Sequence, residues 1–222
     1  MSNAYDNPRK QESRKLISDS INRHSENVCD VSMVELLGEG IGAQYYLQNV
    51  KNLSHIFLVE RSKYNSEVFR MGRLGRFKKQ YPDTSISLQR ASINTFLDAS
   101  KKETLNVINL DLCGLFKVDA NHYINNVLPV YKVFKNKNLT NNGLLFVTYK
   151  IGGWLPMGWN VDSVLNKPID IENYIGCLAF NEKIKLSKIH EFQYSSIEGH
   201  RCKNQGSVML NLGFKVNYEK YK

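Results

Sequence analysis

No run of apolar residues in this sequence approaches the roughly 18 that a membrane-spanning helix needs. The opening stretch MSNAYDNPRKQESRK lacks the apolar core of a secretory signal. The four cysteines, Cys29, Cys113, Cys177 and Cys202, are widely scattered, and none forms a CxxC pair. Structural zinc uses closely spaced ligand pairs, so no metal site is expected. His200 and Cys202 come nearest to a ligand cluster and read as a surface turn. There is no internal repeat and no low-complexity linker. These absences leave a soluble, cytoplasmic protein without disulfides as the expectation.

What the sequence does hold is enough for a folded domain. Its 222 residues are 42% hydrophobic, which excludes a disordered chain and suffices for one α/β domain with its own core. Thirty Lys and Arg against 21 Asp and Glu give a net charge of +9. Such a balance favours a polyanionic partner, because cations release counterions from phosphates. Simple solubility is the plain alternative.

The pattern along the chain is an alternation. Residues 7–24 read as an amphipathic helix with Leu16, Ile17 and Ile21 on one side. Its Lys and Arg are expected elsewhere on the helix, where they could touch phosphate, with a solvated face on a covering helix as the plainer reading. We take 1–30 as an N-terminal helical extension and 31–222 as a single domain. Within it, strands are expected at 31–37, 55–60, 85–91, 104–112 and 143–150. Helices are expected at 43–52, 66–81 and 122–138, the last kinked at Pro129. Alternating strands and helices predict a parallel sheet covered on both faces. The tail differs: two β-rich runs at 188–197 and 207–216 flank the polar loop EGHRCKNQG, which predicts an antiparallel hairpin closing the sheet.

Residues 34–47, VELLGEGIGAQYYL, place Gly38, Gly40 and Gly42 between a strand and a helix, with Glu35 in the strand. A glycine-rich strand-to-helix turn lets backbone approach a nucleotide-like ligand. A tight turn at a strand end gives the same pattern without a ligand. The second strand adds to the ligand reading. Glu60 ends FLVE, where an acid accepting both ribose hydroxyls is expected.

With these features the sequence resembles the class I S-adenosylmethionine-dependent methyltransferases over roughly residues 31–216. The resemblance rests on VELLGEGIG, FLVE, RASI, NLDLCG and the terminal hairpin. It implies a Rossmann-like, mostly parallel seven-stranded sheet with a C-terminal antiparallel hairpin and helices on both faces. It implies S-adenosylmethionine as cofactor. Gly38, Gly40 and Gly42 would pass beneath its methionine part, with Glu35 orienting the loop or reaching the amino group. Glu60 would hold the ribose, and Ser92 and Ile93 would flank the adenine. Asp111, at the tip of the fourth strand, would face cofactor and acceptor, and is the candidate catalytic residue.

The sequence departs from the family pattern at two places. RASIN has no carboxylate for the adenine, and Asn94 is the candidate substitute. NLDLCG lacks the prolines and stacking aromatic of enzymes that methylate base amines, with Phe116 the nearest aromatic. Cys113 offers a nucleophilic route to a pyrimidine, but Leu112 stands where such enzymes have Pro, and a small packed cysteine is the plainer reading.

For a substrate, FRMGRLGRFKK places Arg70, Arg73, Arg76, Lys78 and Lys79 within eleven residues, as phosphate contacts or as a solvated helix face. Trp154 and Trp159, in IGGWLPMGWN after the fifth strand, are candidates to stack on a base or to anchor the loop. The sequence thus predicts a methyltransferase acting on RNA or DNA. The alternatives are a small-molecule or protein methyltransferase, a degenerate fold that binds without catalysis, and a NAD-binding protein.

Overall fold

In the computed structural model, residues 8–38, 40–117, 126–151, 164–195 and 208–218 are described. The order is α1 (Pro8–His24), β1 (Val31–Leu36), α2 (Ile41–Asn49), β2 (Leu53–Val59), α3 (Lys63–Phe69), a π-helical turn (Arg70–Leu74) and α4 (Gly75–Gln80). It continues through β3 (Ser85–Gln89), α5 (Ile93–Ala99), β4 (Leu105–Lys117), α6 (Leu128–Lys135), β5 (Leu139–Ile151) and β6 (Val164–Leu165). It closes with α7 (Pro168–Asn181), β7 (Ile184–Ser195) and β8 (Val208–Tyr218).

Seven strands form the main sheet in the order β3-β2-β1-β4-β5-β8-β7. Strands β3, β2, β1, β4 and β5 are parallel, while β8 runs antiparallel to both β5 and β7. The expected terminal hairpin is therefore present, and β6 adds a short antiparallel pairing to the end of β4.

Apolar side chains on both faces of the central strands explain the two helical layers. On one face Met33, Ile56, Leu58, Val107 and Phe146 meet Ile17 and Ile21 of α1, Tyr46 of α2, and Phe69 and Phe77 of the α3–α4 segment. On the other face Val34, Ile108, Leu110, Leu145 and Val147 meet Phe96 of α5, Val130, Val133 and Phe134 of α6, and Ile171, Ile175 and Ala179 of α7.

Several local expectations change. Pro129 does not kink a helix but stands in the first turn of α6, where its missing N–H costs nothing. The helical stretch expected at 66–81 begins earlier, at Lys63, and runs through a π turn that contains Gly72 into α4, which Gly75 opens. Strand β4 extends past 112 to Lys117, because Phe116 is fully buried against Tyr149 and Tyr174. That burial removes Phe116 as a stacking surface for a base.

Candidate functional site

The direction of chain progression reverses between β1 and β4, where open α/β sheets form a crevice at their strand ends. The glycine turn lies there. Gly38 and Gly40 have φ of 47° and 78°, a left-handed backbone that favours glycine. A Cβ on Gly40 would stand 2.8 Å from the Phe69 ring, and one on Gly42 would stand 2.6 Å from Glu35 Oε1. A Cβ on Gly38 would meet nothing within 4 Å. Two of the three glycines thus clear space for the protein's own side chains, and Gly38 faces open space.

A cavity of about 230 Å³ occupies this crevice. Its floor is Glu35 from β1, Asn109 and Asp111 from β4, and Thr148 from β5. Gly38 and Gly42 form one wall, and Lys10 and Arg14 of α1 lie across it. Glu35 is 4% exposed. Asn109 Nδ2 donates to Glu35 Oε2 at 2.7 Å and to the Tyr46 hydroxyl at 3.2 Å. Burial, helped by the nearby Asp111 carboxylate, pushes the Glu35 carboxyl up to about 8, against smaller opposing effects of Asn109, Arg14 and Lys10. Glu35 therefore keeps its proton at neutral pH. Asp111 forms an ion pair with Lys10 at 2.9 Å, both partly exposed. Beside them, Asn211 Nδ2 donates to Thr148 Oγ1 at 2.7 Å.

The structure brings Glu35, Gly38, Gly42 and Asp111 around one cavity, with Gly40 at the N-cap of α2. The other expected cofactor residues lie outside its lining, at the neighbouring strand ends. Glu60 follows β2, and its Oε1 accepts the Ser62 backbone N–H at 2.6 Å. Ser92 caps α5 by accepting the Thr95 backbone N–H at 3.1 Å. Ile93 packs against the core. Asn94 holds a buried Oδ1 that has no hydrogen-bond partner among the described residues.

Arg70, Arg73, Arg76, Lys78 and Lys79 are all exposed along the π turn and α4. Met71, 79% exposed, shares the π turn, and Tyr64, 74% exposed, stands at the start of α3 before it. Trp154, Trp159, His200 and Cys202 lie outside the described residues, as does the side chain of Cys113.

Sequence reasoning missed the role of α1. Lys10 and Arg14 were expected on a solvated face, yet Arg14 is only 7% exposed. The spacing 10, 14, 17, 21 explains it: these positions form one helical stripe, continuous with buried Ile17 and Ile21. Reading that stripe through the basic residues would have found them. Thr148 and Tyr194 also line the cavity from strands remote in sequence, and no local signal marks them.

Comparison with solved structures agrees with the topology. The fold is that of the class I methyltransferases. Trm1 from Pyrococcus horikoshii, in a complex with S-adenosyl-L-methionine, is similar with a TM-score of 0.66 and 13% identity, over 96% of this chain and 56% of that one. M. jannaschii TYW2, in complex with AdoMet, has a TM-score of 0.54 and 13% identity over 97% and 77%. An rRNA methylase from Streptococcus thermophilus has a TM-score of 0.54 and 12% identity over 91% and 97%. No family model matches the sequence, and no curated protein matches it. Among the described residues no helix is long and apolar enough to cross a membrane.

Proposed function

We infer that this chain is an S-adenosylmethionine-dependent methyltransferase acting on nucleic acid, RNA in the first instance. One observation carries the reading: a buried acid, Glu35, and a second acid, Asp111, flank a glycine turn where the strand order reverses.

The residues fit the cofactor. Glu35 suits its ammonium group, and the open side of Gly38 leaves backbone accessible to it. Asn94 Oδ1, buried without a partner among the described residues, suits the exocyclic amine of adenine. Glu60 suits the ribose hydroxyls. At about 230 Å³ the cavity is below the roughly 300 Å³ of a typical small-molecule site, so it matches the amino-acid end alone. The adenosine end belongs over the ends of β2 and β3.

When bound, the cofactor supplies an electrophilic methyl group. The chain's part is to position the acceptor and manage its proton. Asp111 accepts a hydrogen bond from an acceptor N–H and orients its lone pair. To do so it exchanges its contact with Lys10 for one with the acceptor. The exposed cations from Arg70 to Lys79 support a phosphate backbone as partner, with exposed Met71 among them and exposed Tyr64 in the preceding α3 as contact surface. That one similar structure is an rRNA methylase supports RNA.

The test is calorimetric titration with S-adenosylmethionine, with NAD as comparator, followed by labelled methyl transfer to RNA and to DNA. Selective cofactor binding with salt-sensitive labelling of RNA is expected. Binding without transfer to any acceptor would make the chain a binding protein. Selective NAD binding would overturn the reading.

A further inference from the structure

We propose that Thr148, near the end of β5, donates a hydrogen bond to the methyl acceptor, and that the buried side chains of Asn211 and His190 fix it in that role. With Asp111 it then reads an N–H together with the acceptor atom beside it, a pattern found along the edge of a nucleobase. The proposal rests on the methyltransferase reading above and adds to it the class of atom that is methylated.

Sheet pairing sets Thr148 opposite Asp111, and both line the cavity. Thr148 Oγ1 accepts Asn211 Nδ2 at 2.7 Å, with both residues buried. A hydroxyl whose oxygen takes a donor keeps its own hydrogen for another partner, and the cavity is the open side. The direction of this bond depends on which way the Asn211 amide is turned. Asn211 Oδ1 is buried without a hydrogen-bond partner among the described residues, and so is Nε2 of His190 on β7. The two side chains act on one another: burial lowers the His190 pKa, while Asn211 and then Glu191 favour its charged form. An imidazole with its proton on Nε2 supplies the donor that Asn211 Oδ1 lacks. Oδ1 is then committed toward His190 and Nδ2 toward Thr148.

Two backbone features place His190 for this task. The β7–β8 register shifts between Lys188 and His190, and such a bulge re-aims side chains. Gly213 stands opposite His190, and a Cβ there would lie 2.8 Å from His190 Cβ and 2.7 Å from Phe146 Cε1. The absent side chain leaves room for the His190 ring, which meets Phe146 edge-on. Plain packing would fill this row with apolar side chains, because buried polar groups are costly. The chemistry gives the row a use. As the acceptor nitrogen passes its proton to Asp111, its new bond forms to the methyl carbon and the bond from that carbon to sulfur breaks. Charge from the breaking N–H bond spreads onto the neighbouring oxygen or ring nitrogen. A fixed donor aimed at that atom counts most in the transition state.

The experiment follows labelled methyl transfer to total RNA, or to genomic DNA where RNA takes no label, in single-turnover assays. Calorimetry with S-adenosylhomocysteine reports on the fold and the cofactor site of each variant. Thr148→Val keeps the shape and removes the hydroxyl. It should lower transfer about 10- to 100-fold, the worth of a hydrogen bond to a group gaining charge, and leave S-adenosylhomocysteine affinity unchanged. Thr148→Ser should recover most of the rate. Asn211→Leu and His190→Phe should slow transfer as well, yet add little to Thr148→Val in double-mutant cycles, because both residues act through Thr148. Unchanged transfer in Thr148→Val, or additive losses, would overturn the proposal. The product tests it without any variant. Nucleosides digested from the wild-type reaction should carry the methyl on a nitrogen that bore a hydrogen and shares a carbon with an acceptor atom. A methyl on a ribose oxygen, a ring carbon or a nitrogen without a hydrogen would also overturn it. If the wild-type protein labels neither nucleic acid, the nucleic-acid methyltransferase reading fails and this proposal with it; if it labels one and the Thr148 outcomes fail, that reading stands.

Discussion

Replacing Glu35 by Gln separates what this carboxyl does for the fold from what it does for a ligand. In the folded protein Glu35 holds its proton up to about pH 8, against 4.5 for an ordinary glutamate. Across that window the unfolded chain releases the proton while the folded protein keeps it. Stability therefore falls as pH rises from the lower value to the higher, and levels off above. The interval between 4.5 and about 8, at about 1.4 kcal/mol for each pH unit, sets an upper bound of about 5 kcal/mol. Burial almost out of reach of water means that little of this is screened.

Gln cannot ionise, yet its oxygen still accepts the Asn109 amide that now meets Glu35 at 2.7 Å. The two proteins should be equally stable near pH 4, below the ordinary glutamate value, and Glu35→Gln should lead by about 3 kcal/mol or more near pH 8.5, measured by urea unfolding. Binding should move the opposite way. The cofactor's ammonium favours the ionised carboxylate, so wild-type affinity should rise with pH toward about 8, and the variant's should be weaker and flat. Parallel stability curves across this range would refute the argument that Glu35 is buried as an acid.

The fold was legible because its signals are local. Runs such as VSMVELL and HIFLVE are apolar on both faces, and only a sheet covered twice buries them. Two helices were not read. The seven-residue α5 hides behind RASI, where Ser92 caps a helix in the stretch assigned to the adenine. In α7 a buried stripe of Ile171, Ile175 and Ala179 is crossed by Gly176, which weakens the pattern, and Pro168 marks its first turn. The site divides in the same way. Glu35, the glycines and Asp111 sit in stretches whose spacing names them. Thr148 reaches the cavity through the pairing of β4 and β5, which sets it opposite Asp111, and Tyr194 through the pairing of β5 with β8 and of β8 with β7, contacts no short window contains. Lys10 and Arg14 were in plain view, but a rule that assigns cations to solvent sent them to the wrong face.

Glu60→Ala should weaken S-adenosylmethionine about 10- to 100-fold by titration while the melting curve stays cooperative, since the side chain accepts one backbone N–H at a strand end. Unchanged affinity would remove Glu60 from the site. Asp111→Ala should lower methyl transfer by about 100-fold or more in single-turnover assays, with a much smaller effect on cofactor affinity. Full activity would end its catalytic assignment. Gly42→Ala tests the close approach of Glu35 to the glycine turn. The added carbon would lie 2.6 Å from Glu35 Oε1, so the carboxyl must swing away and give up its bond to Asn109, at about 1–3 kcal/mol of stability. The contact belongs to one pair of residues, so the two substitutions cannot be independent. In a Glu35→Ala background the same methyl enters vacated space, and most of its cost should disappear in a double-mutant cycle of unfolding free energies. Additive costs would mean that the turn rejects a side chain for reasons unrelated to Glu35.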